Sequence, residues 1–121
     1  MNLAVFLAAL SAVETGANDT LVGTHGERSR FQITATVWNQ QAPEWDFKTW
    51  ARDAHRAEVV VNRQMRWFMN HQVPADTFHL AAAWHLGLKR FKSWGEPRLK
   101  TNCDFALRVE RIYNRLLQRQ R

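Results

Sequence analysis

Residues 14 to 32, ETGANDTLVGTHGERSRFQ, decide how the chain is read. The stretch starts with a carboxylate, Glu14, at the end of an apolar run. It passes through a short segment rich in Gly and Thr, with Asn18-Asp19, Gly23 and Gly26 spaced as turns rather than as a helix. It returns with a second carboxylate, Glu27, a hydroxyl, Ser29, and an amide, Gln32. Short extended pieces around Thr20 to Val22 and Arg30 to Ile33 make it a small hairpin or an irregular loop.

Working outward toward the start, residues 2 to 14 read as a helix. Leu3, Phe6, Leu7, Leu10 and Val13 give the spacing of one buried face, and Gly16 supplies a stop just past Glu14. Glu14 follows Val13 at the edge of that face, which half-buries its carboxyl. Desolvation raises a carboxyl pKa, and a raised pKa is what a general acid needs near neutral pH. The run MNLAVFLAALSAVE has small residues like a signal peptide but lacks a basic n-region, and it is too short to span a bilayer. It is read as the first helix, so any export signal lies outside this sequence or export uses another route.

Downstream, Thr34 is an N-cap for a short helix through Trp38, which Pro43 ends. Residues 46 to 71 carry the longest periodic pattern. Phe47, Trp50, Ala54, Ala57, Val61, Met65 and Phe68 trace an apolar stripe that reads as core, on one long helix or a short one followed by a long one. His71 to Pro74 is a linker. Asp76 caps a helix over 76 to 86, DTFHLAAAWHL, and Gly87 lies past its end. Lys89 to Lys100 reads as basic and irregular, a solvated loop or a binding patch. Residues 102 to 118 form the last helix, followed by a frayed tail, Gln118 to Arg121. The expected fold is mainly α: four or five helices in a single domain over 1 to 121, with a small hairpin or irregular loop after the first helix.

Composition narrows the function classes. Hydrophobic residues make up 45% and charged residues 23% of 121, ordinary for a globular chain. The net charge of +6 favours a polyanionic partner: nucleic acid, an anionic membrane or the bacterial wall. Six Trp and seven Phe are enough both to fill a core and to line a groove where rings stack on sugar faces. The single Cys103 excludes an intrachain disulfide and reads as a small buried hydrophobe. The five His lack metal-ligand spacing, so neither a metal nor another cofactor is expected.

The segment from Val13 to Trp38, VETGANDTLVGTHGERSRFQITATVW, resembles the catalytic signature of the lysozyme-like superfamily. It looks most like soluble lytic transglycosylase-type and goose-type lysozyme domains. The matching pieces are Glu14-Thr15-Gly16, the loop Gly23 to Gly26, Ser29-Arg30-Phe31-Gln32-Ile33 and Thr36-Val37-Trp38. Leu80 to Gly87, LAAAWHLG, is similar to the family's helix end that packs beside the acid, and Asp104 to Tyr113, DFALRVERIY, to its closing helix. Two departures stand out: Ser29 occupies a place where the family usually has Gly, and His85 a place where it has Asn.

The resemblance implies a lysozyme-like helical domain that cleaves the β-1,4 bond between N-acetylmuramic acid and N-acetylglucosamine. Glu14 would protonate the leaving oxygen. Glu27 lies five residues before Gln32, the offset at which animal lysozymes carry a second carboxylate. It would act as nucleophile, as base or as charge stabiliser, with Asp19 in reserve. Lytic transglycosylases use no second carboxylate: the substrate's own N-acetyl group participates and a 1,6-anhydro product forms. The polar loop residues Ser29 and Gln32 would bond substrate or orient Glu14, and Trp84 and His85 would border the groove. The bland readings are a solvated helix-end carboxylate for Glu14, a surface ion pair for Glu27, a structural tie for Gln32 and core for Trp84.

The expected partner is a peptidoglycan glycan strand, not nucleic acid, met by a monomer in the bacterial envelope, periplasmic or extracellular. Two competing classes are a non-catalytic wall-binding module of the same fold and a basic helical nucleic-acid binder.

Overall fold

The computed structural model describes residues 1 to 120, and Arg121 of the expected frayed tail lies outside the described residues. Among the described residues the chain is mainly helical, in eight helices: α1 Leu3–Thr15, α2 Ala35–Gln41, α3 Phe47–Trp50, α4 Ala54–Asn70, α5 Thr77–Leu86, α6 Leu88–Ser93, α7 Glu96–Asn102 and α8 Asp104–Arg119.

Side-chain caps set most of the starts. Asn2, Thr34, Asp46, Asp53 and Asp76 each accept a hydrogen bond from the backbone N–H three residues on, which satisfies a donor the helix cannot use. At the other end of α1, Gly16 adopts φ 66°, the left-handed conformation that glycine reaches without a Cβ penalty. The turn it makes stops α1 one residue past Glu14 and sends the chain into the polar loop.

The core is built on α5. Its alanines Ala81, Ala82 and Ala83 are fully buried, and their small side chains let α8 approach closely. Ala106, Val109 and Tyr113 form the buried stripe of α8. α1 packs on α8 as well, and the Asn2 N–H donates to the Tyr113 hydroxyl at 2.8 Å. α1 is buried on more than the one expected face: Val5, Ala9 and Ser11 join Phe6, Leu7 and Leu10, while Leu3 and Val13 stay at the edge.

Residues 46 to 71 split into a short and a long helix, because Asp53 caps α4 after the single turn of α3. The buried face of α4 runs through Ala57, Val60, Val61, Gln64, Met65 and Phe68. Three members of the expected stripe fall outside it: Phe47 on α3 is half-buried, Ala54 is exposed, and Trp50 is exposed but covered by the Arg56 guanidinium, 3.7 Å from the ring centroid. Three further expectations need correction. Lys89 to Lys100 is not irregular but holds α6 and most of α7, each anchored by one buried residue, Phe91 and Leu99. The last helix runs on through Arg119 instead of fraying at Gln118. Among the described residues the helix count is eight rather than four or five.

His79 fixes where α7 starts. Its ring sits between two carboxylates, Nδ1 within 2.7 Å of Asp76 and Nε2 within 2.6 Å of Glu96. Burial draws the imidazole pKa down, but the hydrogen bonds to Glu96 and Asp76 outweigh it and hold it above its ordinary value.

Candidate active site

The loop between α1 and α2 is held open by its own polar groups. The Arg30 guanidinium donates twice to Asp19, at 2.7 and 2.8 Å. The Thr15 hydroxyl donates to the Arg30 carbonyl at 2.8 Å and accepts from the Asn18 N–H. Two isolated antiparallel bridges, Val22 with Arg28 and Arg28 with Ile33, take the place of a regular hairpin. The Gln32 amide nitrogen donates across the loop to the Leu21 and Ser29 carbonyls.

These ties bring the second half of the loop over the end of α1. A cleft of about 460 Å³ opens there, where α1, the loop, α2, α4 and the end of α5 meet. Glu14, Glu27, Gln32, Trp84 and His85 all line it. Five side chains picked from the sequence, spread over 72 positions, therefore share one cavity.

Glu14 is half-buried. Loss of water pushes its carboxyl from 4.5 up to about 7; the Trp84 N–H pulls the other way, and the negative charge of Glu27 adds a further push upward. Trp84 Nε1–H donates to Glu14 Oε1 at 3.2 Å. Among the described residues no basic side chain pairs with Glu14. A carboxyl with a pKa about 7, one oxygen fixed by an indole and the other without a partner among the described residues, can give a proton at neutral pH.

Glu27 is propped from below, its Oε1 accepting from the His25 N–H at 2.7 Å. Close packing against Gly23 holds it and Gln32 in place. A Cβ at position 23 would stand 2.5 Å from Gln32 Oε1 and 3.0 Å from the Glu27 carboxyl carbon. Glycine here is a matter of space, not of backbone angle. His85 is exposed at the rim and stacks on Phe105 with centroids 4.6 Å apart, and desolvation lowers its imidazole pKa.

Two candidates lie elsewhere. Ser29 is fully buried at φ 77°, and its hydroxyl accepts from the Phe31 N–H. It shapes the loop from inside and does not line the cleft, so its expected contact with substrate or Glu14 is corrected. Asp19 is consumed by Arg30, whose hydrogen bonds lower its pKa, and it too is away from the cleft. Among the described residues no three His, Cys, Asp or Glu side chains converge as a metal requires. Asp76 and Glu96 meet opposite nitrogens of one ring and cannot share an ion.

The far wall of the cleft is formed by residues that the sequence does not mark as a site: Gln40 on α2 and Gln64, Trp67 and Phe68 on α4, of which Phe68 belongs to the stripe that reads as core. A signal for Gln64 existed. It lies four residues after Val60 and four before Phe68, a polar residue on the most buried face of an apolar helix. Among the described residues no helix is long and apolar enough to cross a membrane. No protein-family model, no curated protein and no solved structure matches the chain.

Proposed function

We propose that this chain is a peptidoglycan-cleaving glycosidase, a muramidase or lytic transglycosylase of lysozyme-like fold, acting as a single catalytic domain on the β-1,4 bond between N-acetylmuramic acid and N-acetylglucosamine. The observation that carries the reading is Glu14: a half-buried carboxyl with a pKa about 7, without a basic partner among the described residues, in a cleft it shares with a second carboxylate. Structure alone gives such a group no benefit, since a negative charge near a helix C-terminus opposes the macrodipole.

Glu14 donates its proton to the glycosidic oxygen as the bond to the anomeric carbon breaks. The Trp84 N–H holds one carboxyl oxygen still and leaves the other for the substrate. Glu27, on the same cleft, stabilises the positive charge that builds on the sugar ring or takes a proton from the attacking water. Without its help the substrate's acetamido oxygen closes on the anomeric carbon; the C6 hydroxyl then displaces that oxygen, giving its proton to the Glu14 carboxylate, and the product ends in a 1,6-anhydro ring. The net charge of +6 draws the enzyme to the anionic wall of a bacterial envelope, periplasmic or extracellular, an attraction that weakens with salt.

The test is digestion of purified peptidoglycan with the parent and with Glu14→Gln. Mass spectrometry of the fragments separates reducing ends from anhydro ends. Glu14→Gln is expected to bind the wall and stay folded but release nothing. Equal release by parent and variant removes Glu14 from the role of acid. Binding without release by the parent marks a non-catalytic wall-binding module, and salt-dependent binding to DNA with none to the wall marks a nucleic-acid binder.

A further inference from the structure

The positive charge of the chain is not spread over it. Residues 1 to 85 carry seven Lys or Arg against eight Asp or Glu, and residues 86 to 121 carry ten against three. The part with Glu14 and Glu27 is close to neutral, and the excess lies from α6 onward. Such asymmetry within one chain marks a surface that meets an anion.

On α8 the cations form a row. Arg108, Arg111, Arg115 and Arg119 follow one another at steps of three and four residues, which puts them on one side of the helix. All four are exposed, and none has a carboxylate within ion-pair distance among the described residues. The row spans about 16 Å at the rise of an α-helix. Of the two acids on α8, Asp104 stands one turn before the row and Glu110 off its line. Ala106, Val109 and Tyr113 take the opposite side into the core, so the row stays outside. Arg111 with Arg115 and Arg115 with Arg119 are like charges four residues apart, which weaken a helix. Folding gains nothing from keeping them so.

The row ends at an apolar groove. A cavity of about 300 Å³ opens between α1 and α8, lined by Ala4, Val5 and Ala8 on one side and by Leu116, Arg119 and Gln120 on the other. Ala4 and Ala8 are exposed, and α1 carries no charge from Leu3 to Val13. The Arg119 side chain therefore borders a slot with mostly apolar walls. A soluble polyanion would use the arginines and leave the groove empty. A bilayer with acidic headgroups uses both. Its phosphates meet guanidiniums, whose paired N–H donors match them, and its acyl boundary meets the outer face of α1.

We propose that the arginine row of α8 and the groove beside α1 form a docking surface for a bilayer that contains anionic phospholipid, with α8 lying along the headgroups. The surface shares no residue with the Glu14 cleft and does not depend on what that cleft does.

The experiment sediments the full chain with two kinds of vesicle, phosphatidylcholine alone and phosphatidylcholine with roughly one phosphatidylglycerol in three. Binding is expected to the mixed vesicles only, falling as salt rises. Each cation at such a surface is worth about fivefold in partition. Arg111→Gln with Arg115→Gln is thus expected to lower it about twenty-five-fold, and Arg108→Gln with Arg119→Gln is a second pair with the same expectation. Ala4→Gln with Ala8→Gln keeps the charge and puts amides in the groove. About fivefold weaker binding to vesicles is expected, with binding to inorganic polyphosphate unchanged. All six positions are exposed, so every variant is expected to melt with the parent. Equal sedimentation with both vesicles, none with either, or full binding by both arginine pairs overturns the proposal. A groove variant that binds vesicles as the parent does overturns it as well, and assigns the row to a soluble polyanion. Glu14→Gln is expected to sediment like the parent; a loss there would move the lipid to the cleft and sink the α8 surface.

Discussion

Glu14 and His79 are both titratable groups whose pKa lies above its ordinary value, and they are raised for opposite reasons. His79 has partners: a carboxylate on each ring nitrogen outweighs the burial that draws it down. Glu14 lacks them: loss of water dominates, a second carboxylate makes it worse, and a single indole N–H opposes. The first arrangement favours the charged form and holds α7 against α5. The second favours the neutral form and weakens the fold whenever the group ionises. A displaced pKa therefore says little until its cause is known. A group left uncompensated in an open cleft points to chemistry, and a compensated one points to architecture.

The sharpest way to break this contrast is Glu14→Gln. Loss of a general acid is expected to cut wall-clearing activity by about 10²- to 10⁴-fold. In the parent, activity should fall as pH rises through about 7, following the carboxyl, and turbidity loss of a wall suspension across a pH series checks both. Gly23→Ala comes next. The added methyl pushes on the far ends of Gln32 and Glu27, which are flexible, so the fold tolerates it while the cleft loses its geometry. A fall of about ten- to a hundredfold in activity with an unchanged melting temperature is expected. Unchanged activity would remove Glu27 and Gln32 from any role that depends on their placement.

The third prediction concerns stability. A carboxyl raised from 4.5 to about 7 burdens the fold as pH climbs through that window, fully so above it. The displacement corresponds to at most roughly 3 kcal/mol, and partial exposure to water reduces it to about 1–2 kcal/mol. Glu14→Gln is thus expected to be more stable than the parent at pH 8 by that amount and equal to it near pH 4, measured by urea unfolding. The smallest effect falls on the other side of the comparison. The raised His79 contributes stability that is present below pH 6.5 and lost as pH rises through its folded value. Glu96→Gln should cost about 0.5–1 kcal/mol at pH 5.5 and close to nothing at pH 9, since its partner's charge is gone. A pH-independent cost would mean that the clamp acts through packing rather than charge.

The two regions also differ in how far they could be read in the sequence. Glu14 was legible because three local cues coincide: an apolar run, a stop glycine and a carboxylate at the edge of the buried face. Trp84 was harder, since nothing local separates an indole in an alanine-rich helix from core. It came into view through resemblance rather than periodicity. Ser29 was misread because a loop hydroxyl looks available in sequence, whereas a left-handed backbone and a bond to Phe31 turn it inward. The neighbourhood of His79 was hidden for another reason. α6 and α7 have only one or two turns each and one buried anchor apiece, too few repeats to show against a run of basic residues and Pro97. Gln64 lies beside the stripe that reads as core, and a polar residue on such a buried face is itself a mark of something unusual.

The indole of Trp84 donates to an oxygen of Glu14. Indole emission responds to a charge placed beside the ring nitrogen, so this bond gives the protein a pH probe of its own. Fluorescence read against a Trp84→Phe background would follow ionisation of the Glu14 carboxyl directly.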